Sequence, residues 1–319
     1  MMNWLRGFNR KRLHARKRRA MLLMSKDLIP EYLPFKMGVE VNILSPVHTI
    51  YIARQLVLAF GASGKSVQIS IVEPDSGWGD GAWVVICPQA YESLPPKYVA
   101  YQLEQSGTSK HFTEKYLNRL RQAVAVWDYS SQNVDFLIEN GVDAKRIKHV
   151  PIIYTLDPKP VVRTDYEFDV VFYGDVNNER RKFILARLGE KFKLKIVSGV
   201  YGDELYEQLK RARCVVNIHY YDDALLETTR IYECLSMNLC VVSERARDQA
   251  EHGELDGVVD FVNVGDVQGI VDAVARFVAG GDESCYLRKL NNQKLLVERD
   301  ALRAHIFGDL IANFPKRTP

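Results

Sequence analysis

Arg230 and Glu233 stand three residues apart in TTRIYECLSM, so on a helix they share one face and can meet a single ligand together. Asn217 and His219 close the apolar run VVNIH just before them, and Glu227 follows the polar stretch YYDDALL. A second cluster comes after Phe172-Tyr173-Gly174, where DVNNERRKF opens a helix with Arg180, Arg181 and Lys182 in its first turns. Free N–H groups and the helix dipole attract phosphate at such a start, and guanidinium groups add paired, charge-assisted hydrogen bonds. In the first third of the chain, His48 lies in SPVHTIYIARQL between an apolar run and a helical one, and Glu104 closes YQLEQ. An imidazole or a carboxylate placed there can take a proton from a reacting hydroxyl.

The elements that must position these residues alternate in period. Short continuous apolar runs read as buried parallel strands, and runs with a period near 3.6 read as helices. GVEVNILS is a strand, Ile50 to Phe60 a helix, and Val67 to Val72, Trp83 to Cys87 and Tyr98 to Leu103 are strands. Phe112 to Gln122 is helical, Ala123 to Trp127 a strand, and Ser131 to Asn140 a helix stopped by Gly141, with Asp128 or Ser130 as its N-cap. The stretch from His149 to Asp169 holds Pro151, Pro158 and Pro160 with little periodicity, which marks a boundary. A fresh series then starts at FDVVFYG and runs through Cys214–Glu244 to the helix Val267 to Val278 and a long helical stretch from Glu283 to Phe307. The expected class is α/β, with two Rossmann-like parallel-sheet domains facing a cleft. The expected parts are a basic segment and linker (1–36), a first domain (37–155), a second (165–282) and a final helix returning to the first (283–319).

The strand–helix–strand block CVVNIHYYDDALLETTRIYECLSMNLCVVSE resembles the nucleotide-sugar-binding segment of GT-B glycosyltransferases. The resemblance covers about residues 38–310 and is strongest from 168 to 265. It implies that Glu233 binds the nucleotide ribose and that Arg230 with Arg181 or Arg180 holds the donor diphosphate beside Gly174. It also implies that Asn217, His219 and Glu227 line the donor site. Many retaining members carry two glutamates eight apart. Here Leu225 occupies the first of those positions and Glu227 falls two residues later. On the same resemblance, the acceptor belongs to the first domain, with His48 or Glu104 as base. The implied activity moves a sugar from a nucleotide sugar to a lipid-linked or cell-surface glycan precursor, as in polysaccharide biosynthesis. No cofactor and no essential metal are expected, because Asp222-Asp223 lacks the spacing of a metal-binding DxD motif.

Other readings remain beside it. A nucleotide-sugar epimerase would share the phosphate chemistry without an acceptor groove, and a membrane-associated scaffold would bind the nucleotide sugar without turnover. A dinucleotide oxidoreductase is disfavoured, since no GxGxxG follows a strand.

Composition bounds the rest. The chain has 319 residues, 47% hydrophobic and 26% charged, which suits two soluble domains. Its net charge of +3 conceals a basic head: residues 1–26 hold nine Lys/Arg and no acid. With Trp4, Leu5 and Phe8, that head suits an anionic lipid surface, a solvated tail or, less well, nucleic acid. It lacks the apolar core of a signal peptide, and no run of 18 apolar residues occurs. A cytoplasmic place, peripheral on the inner face of the membrane, is expected. Cys87, Cys214, Cys234, Cys240 and Cys285 have no paired spacing and read as reduced thiols.

Overall fold

A computed structural model describes residues 39–75, 77–107, 109–152, 154, 166–280, 286–299 and 306. The basic head, most of the proline-rich stretch and the end of the last helix lie outside the described residues. Two compact units emerge: among the described residues the first comprises 39–104 and 111–150, and the second 105–110 and 151–306.

In the first unit the elements are β1 (Val41–Leu44), α1 (Ile50–Ala62), β2 (Val67–Ser70), β3 (Ala82–Ile86), β4 (Val99–Gln102), α2 (Glu114–Gln122), β5 (Ala125–Asp128), α3 (Asn133–Glu139) and β6 (Ile147–His149). Its six strands are all parallel, in the order β2-β1-β3-β4-β5-β6. Sequence periodicity missed β6. That strand is three residues long, partly or fully exposed, and carries Lys148 and His149 in place of an apolar run. The core beneath the sheet includes Leu44, Val85, Ala100, Tyr116, Leu120 and Val126. Each Leu or Val side chain among them contributes about 1.5–3 kcal/mol by leaving water.

The second unit runs β7 (Phe168–Tyr173), α4 (Glu179–Lys191), β8 (Leu194–Val197), α5 (Gly202–Leu209), β9 (Ala212–Asn217), α6 (Thr228–Ser236), β10 (Cys240–Glu244), β11 (Val259–Val262) and α7 (Val267–Ala279). Residues 286–299 form a further helix, α8. Its five parallel strands are ordered β8-β7-β9-β10-β11. Apolar runs on β7, β9 and β10 pack against α4 and α7 through Phe172, Val216, Val242, Leu188, Ile270 and Val274. Asn178 caps α4 by accepting from the Arg181 N–H, and Asp266 caps α7 from the Gly269 N–H. On α8, Asn292 donates to the Leu235 carbonyl at the end of α6 (2.8 Å), so α8 seats on the second unit.

Each sheet begins in the same way: the first and second strands pair, and the third lies on the other side of the first. That reversal opens a crevice at the carboxyl ends of β1 and β3 in one unit and of β7 and β9 in the other, the place where open α/β sheets bind ligands. Cys87, Cys214 and Cys234 are buried free thiols. Cys240 is disulfide-bonded, which departs from the expectation that every cysteine is reduced.

Candidate functional site

At the crevice of the second unit, β7 ends at Tyr173 and the chain turns through Gly174, whose φ is +132°. A Cβ added at Gly174 would lie 3.0 Å from Arg230 Nη2, so glycine, which the positive φ also favours, lets that guanidinium rest against the turn without shifting. On α6, Arg230 spans the crevice. Its Nη1 donates to Asn217 Oδ1 at the end of β9 (2.7 Å), and its guanidinium carbon lies 5.1 Å from the Tyr173 ring centre. Asn217 is fully buried and donates to Ser243 Oγ at the end of β10 (3.0 Å), which fixes the amide that receives Arg230.

One turn along α6, half-buried Glu233 accepts a 2.9 Å hydrogen bond from the Tyr173 hydroxyl at Oε2. Arg230 and Glu233 therefore both reach the residues that end β7, as their spacing implies. Tyr173 was not singled out from the sequence, because a tyrosine inside FDVVFYG reads as a core aromatic. Burial, with the nearby Cys234 and Glu233, drives its hydroxyl well above the usual phenol range, so it acts as a donor.

Glu227 precedes α6 but makes no capping bond with its side chain. Its carboxylate instead pairs with Arg230 Nη1 (2.6 Å) and Arg181 Nη2 (3.4 Å). Burial opposes its charge, yet Arg230, His219 and Arg181 together hold its pKa at about 2. Burial likewise works against the Arg230 cation, but Glu227 and the groups around Tyr173 raise its pKa. The segment entering α6 is itself tied down: Gln105 Oε1 accepts from the Leu225 N–H (3.0 Å) and Asp248 Oδ1 from the Leu226 N–H (2.8 Å).

Arg180 and Arg181 lie in the first turn of α4 but serve the protein's own oxygens. Arg181 is 3% exposed and donates to the carbonyls of Ile218 (2.9 and 2.7 Å) and Asp175 (2.9 Å). Burial and the neighbouring Arg230 bring its pKa down to about 10, against the pull of Glu227 and Asp175. Arg180 donates to the His219 carbonyl (3.0 Å) and pairs with Glu244 and Asp222. Glu244 is fully buried at the end of β10. It gathers Arg180, the His219 N–H (2.9 Å) and the Gly265 N–H (2.9 Å). His219 is buried too, with Nε2 3.1 Å from the carbonyls of Glu244 and Arg245.

In the first unit, His48 follows β1 in a short 3-10 turn (Val47–Thr49) and is exposed, while Glu104 follows β4 and is half-buried. Crowding by protein atoms strips part of the imidazole's hydration and lowers its pKa; Glu104 pulls the other way, and His111 adds to the lowering. Glu104 is gripped at several points. Its Oε1 accepts from Gln89 (2.7 Å), its carbonyl from Asn133 (3.0 Å) and Gln102 (2.9 Å), and its N–H donates to Gln102 Oε1. Gln102 and Asn133 are held in turn by Asp128, whose carboxyl is raised by burial to about 7 despite hydrogen bonds from Ser130, Asn133 and Gln102. Asp128 thus braces the loop carrying Glu104, a role its sequence position did not indicate.

Among the described residues no group of histidines, cysteines and carboxylates could hold a metal ion, and no helix is long and apolar enough to cross a membrane.

No protein-family model matches the chain, and no curated protein does. Solved structures do. T4 phage β-glucosyltransferase, solved with UDP and Mn2+, superposes with a TM-score of 0.53 at 10% identity, over 83% of this chain and 98% of that one. Anabaena HepE, solved with UDP and glucose, gives 0.53 at 11% identity over 86% and 100%. S. aureus TarM gives 0.46 at 8% identity over 74% of this chain, which spans 55% of TarM's length. The chain has the GT-B fold. At these identities the likeness concerns the fold, and the Arg230, Glu227 and Glu233 cluster lies on the second unit, on α6 and at its start, between β9 and β10.

Proposed function

We propose that the protein is a glycosyltransferase that takes its sugar from a nucleotide-sugar donor bound at the β7–β9 crevice. One observation carries this reading: Arg230 lies against Gly174 while Glu233, on the same helix face, meets the residue that ends β7. A cation beside the glycine turn suits the diphosphate, and a carboxylate one turn along suits the ribose hydroxyls. Arg181 and Arg180 support the turn and supply positive field, since their nitrogens already serve carbonyls and carboxylates. Asn217 and Glu227 set the position of Arg230, and His219 lies beside Glu227.

Arg230 is the group that balances charge on the departing diphosphate, so the reading includes no essential metal and no cofactor. Cations aimed at a leaving group act more strongly where water is excluded. Activity that vanishes with EDTA and returns with a divalent ion would contradict that part.

For the acceptor we assign the base to the first unit, to His48 or Glu104. His48 has the better intrinsic range, and Glu104 is the more rigidly held. Turnover by His48→Ala and Glu104→Gln, with donor affinity measured alongside, separates them; normal turnover in both would mean that no first-unit base is needed. The acceptor we favour is a lipid-linked or cell-surface glycan precursor, reached from the cytoplasmic face with residues 1–26 on anionic lipid. Each basic residue near such a surface contributes about 1 kcal/mol. Deleting 1–26 should abolish sedimentation with phosphatidylserine vesicles, and equal sedimentation of both forms would refute the anchor.

The test of the donor site is thermal stabilisation across UDP, GDP, ADP and their sugar derivatives. A ligand at 100 times its Kd adds about 2.7 kcal/mol to stability. A shift with one nucleotide class is expected, and no shift with any would contradict the donor site.

A further inference from the structure

His219 has one ring nitrogen without a hydrogen bond. The side chain is fully buried just past the end of β9. Its Nε2 lies 3.1 Å from two backbone carbonyl oxygens, of Glu244 and Arg245. Carbonyl oxygens only accept, so Nε2 carries the hydrogen. The other nitrogen, Nδ1, has no hydrogen-bond partner and lies 3.8 Å from Glu227 Oε1. A buried polar atom aimed at a carboxylate but not bonded to it marks a place where a proton can be added.

The charges around this ring are set by four elements. From α6 come Glu227 and Arg230, paired at 2.6 Å. From α4 come Arg181, 3.4 Å from Glu227, and Arg180, which donates to the His219 carbonyl and pairs with Glu244. From β10, Glu244 accepts the His219 N–H, and just beyond it Arg245 presents its carbonyl. Asn217, on β9 itself, is neutral and receives Arg230. Glu227 thus faces two guanidinium groups, Glu233 also acts on Arg230, and Arg180 is matched by both Glu244 and Asp222. A diphosphate bound here would add negative charge beside His219 and would compete with Glu227 for Arg230.

We propose that His219 takes up a proton at Nδ1 when a diphosphate binds Arg230, and that the new N–H replaces Arg230 as the partner of Glu227. The inference rests on the donor site proposed above and adds a proton-coupled positioning residue to it. The only covalent change is the added proton: it passes from solvent to Nδ1, and Glu227 remains ionised. Linkage is reciprocal, so a proton on His219 must tighten diphosphate binding by the same factor that the diphosphate favours the proton.

The experiment is calorimetric titration of the full chain with UDP near neutral pH, in buffers of different ionisation enthalpy, for the wild type and His219→Gln. Glutamine keeps an N–H donor for the carbonyls but cannot titrate. The terminal phosphate of UDP titrates in the same range and contributes equally to both proteins, so the difference belongs to His219. The wild type should take up more protons than the variant, approaching one per UDP, and its UDP affinity should fall more steeply between pH about 6 and about 8. Should the variant fail to fold, the ring nitrogens of the wild type report directly: the Nδ1 resonance should move from the unprotonated to the protonated range on saturation with UDP. UDP binding with equal proton uptake, or with an unmoved Nδ1 resonance, overturns this inference and leaves the donor site standing. No UDP binding to the wild type overturns both.

Discussion

Glu227 Oε2 lies 2.6 Å from Arg230 Nη1, one turn along α6, and the same carboxylate reaches Arg181 on α4. One buried anion therefore organises two cations drawn from the two helices that follow the crevice strands. Removing one member of a buried pair strands the others, at a cost of about 3–5 kcal/mol. Glu227→Ala should lower the urea midpoint by an amount corresponding to about 3 kcal/mol or more. The folded-state pKa of Glu227 is depressed to about 2, so its contribution is present above the unfolded carboxylate range and is lost as pH falls through about 2. A variant as stable as the wild type would mean that the two arginines need no counter-charge.

A second ionic cluster makes an alkaline prediction. His252 Nε2 lies 3.2 Å from Asp248 Oδ2, and Glu254 receives the Tyr232 hydroxyl (2.8 Å) and Arg299. Burial works against the His252 charge, but hydrogen bonds to Asp248 and Glu254 raise its pKa to about 9. A raised folded-state value stabilises below the unfolded value of about 6.5 and is lost as pH rises through about 9. Thermal melts should therefore show a loss on the order of 2–3 kcal/mol between pH about 6.5 and about 9.5 that His252→Gln lacks. Parallel melting curves for both proteins across that window would disprove the coupling.

Gly174 tests the close approach of Arg230. Alanine there meets a backbone conformation that costs about 1–3 kcal/mol and sets a methyl group 3.0 Å from the guanidinium. Gly174→Ala should lose stability and, by displacing Arg230, weaken UDP binding by about tenfold or more, where each tenfold is about 1.4 kcal/mol. Full UDP affinity in a folded Gly174→Ala would place the diphosphate elsewhere.

The strand–helix alternation was legible because buried parallel strands leave continuous apolar runs, as in Val170–Phe172 and Val215–Ile218. β6 was not, since an exposed edge strand of three residues needs no such run. At the site, the i, i+3 spacing of Arg230 and Glu233 showed that they share a face. The sequence could not show the partners of the cations: Arg180 and Arg181 read as a phosphate cradle, and only the fold brings their nitrogens to the carbonyls of His219, Ile218 and Asp175 and to the carboxylates of Glu244 and Asp222. The roles of Tyr173, which reads as a core aromatic, and of Asp128, which reads as an N-cap, were hidden for a related reason. An aromatic or a carboxylate at a strand end gains its role from partners 60 residues away at Glu233, or 26 away at Gln102.

The most direct test of the donor site is UDP binding to Glu233→Ala against the wild type, with a melting curve to confirm the fold. Glu233 is half-buried and its loss removes one hydrogen-bonded charge, so the fold should survive. A charged hydrogen bond to the ribose is worth about 1.5–3 kcal/mol, so the affinity should fall roughly ten- to a hundredfold. Unchanged UDP affinity in a folded Glu233→Ala would contradict the assignment of the β7–β9 crevice as the donor site.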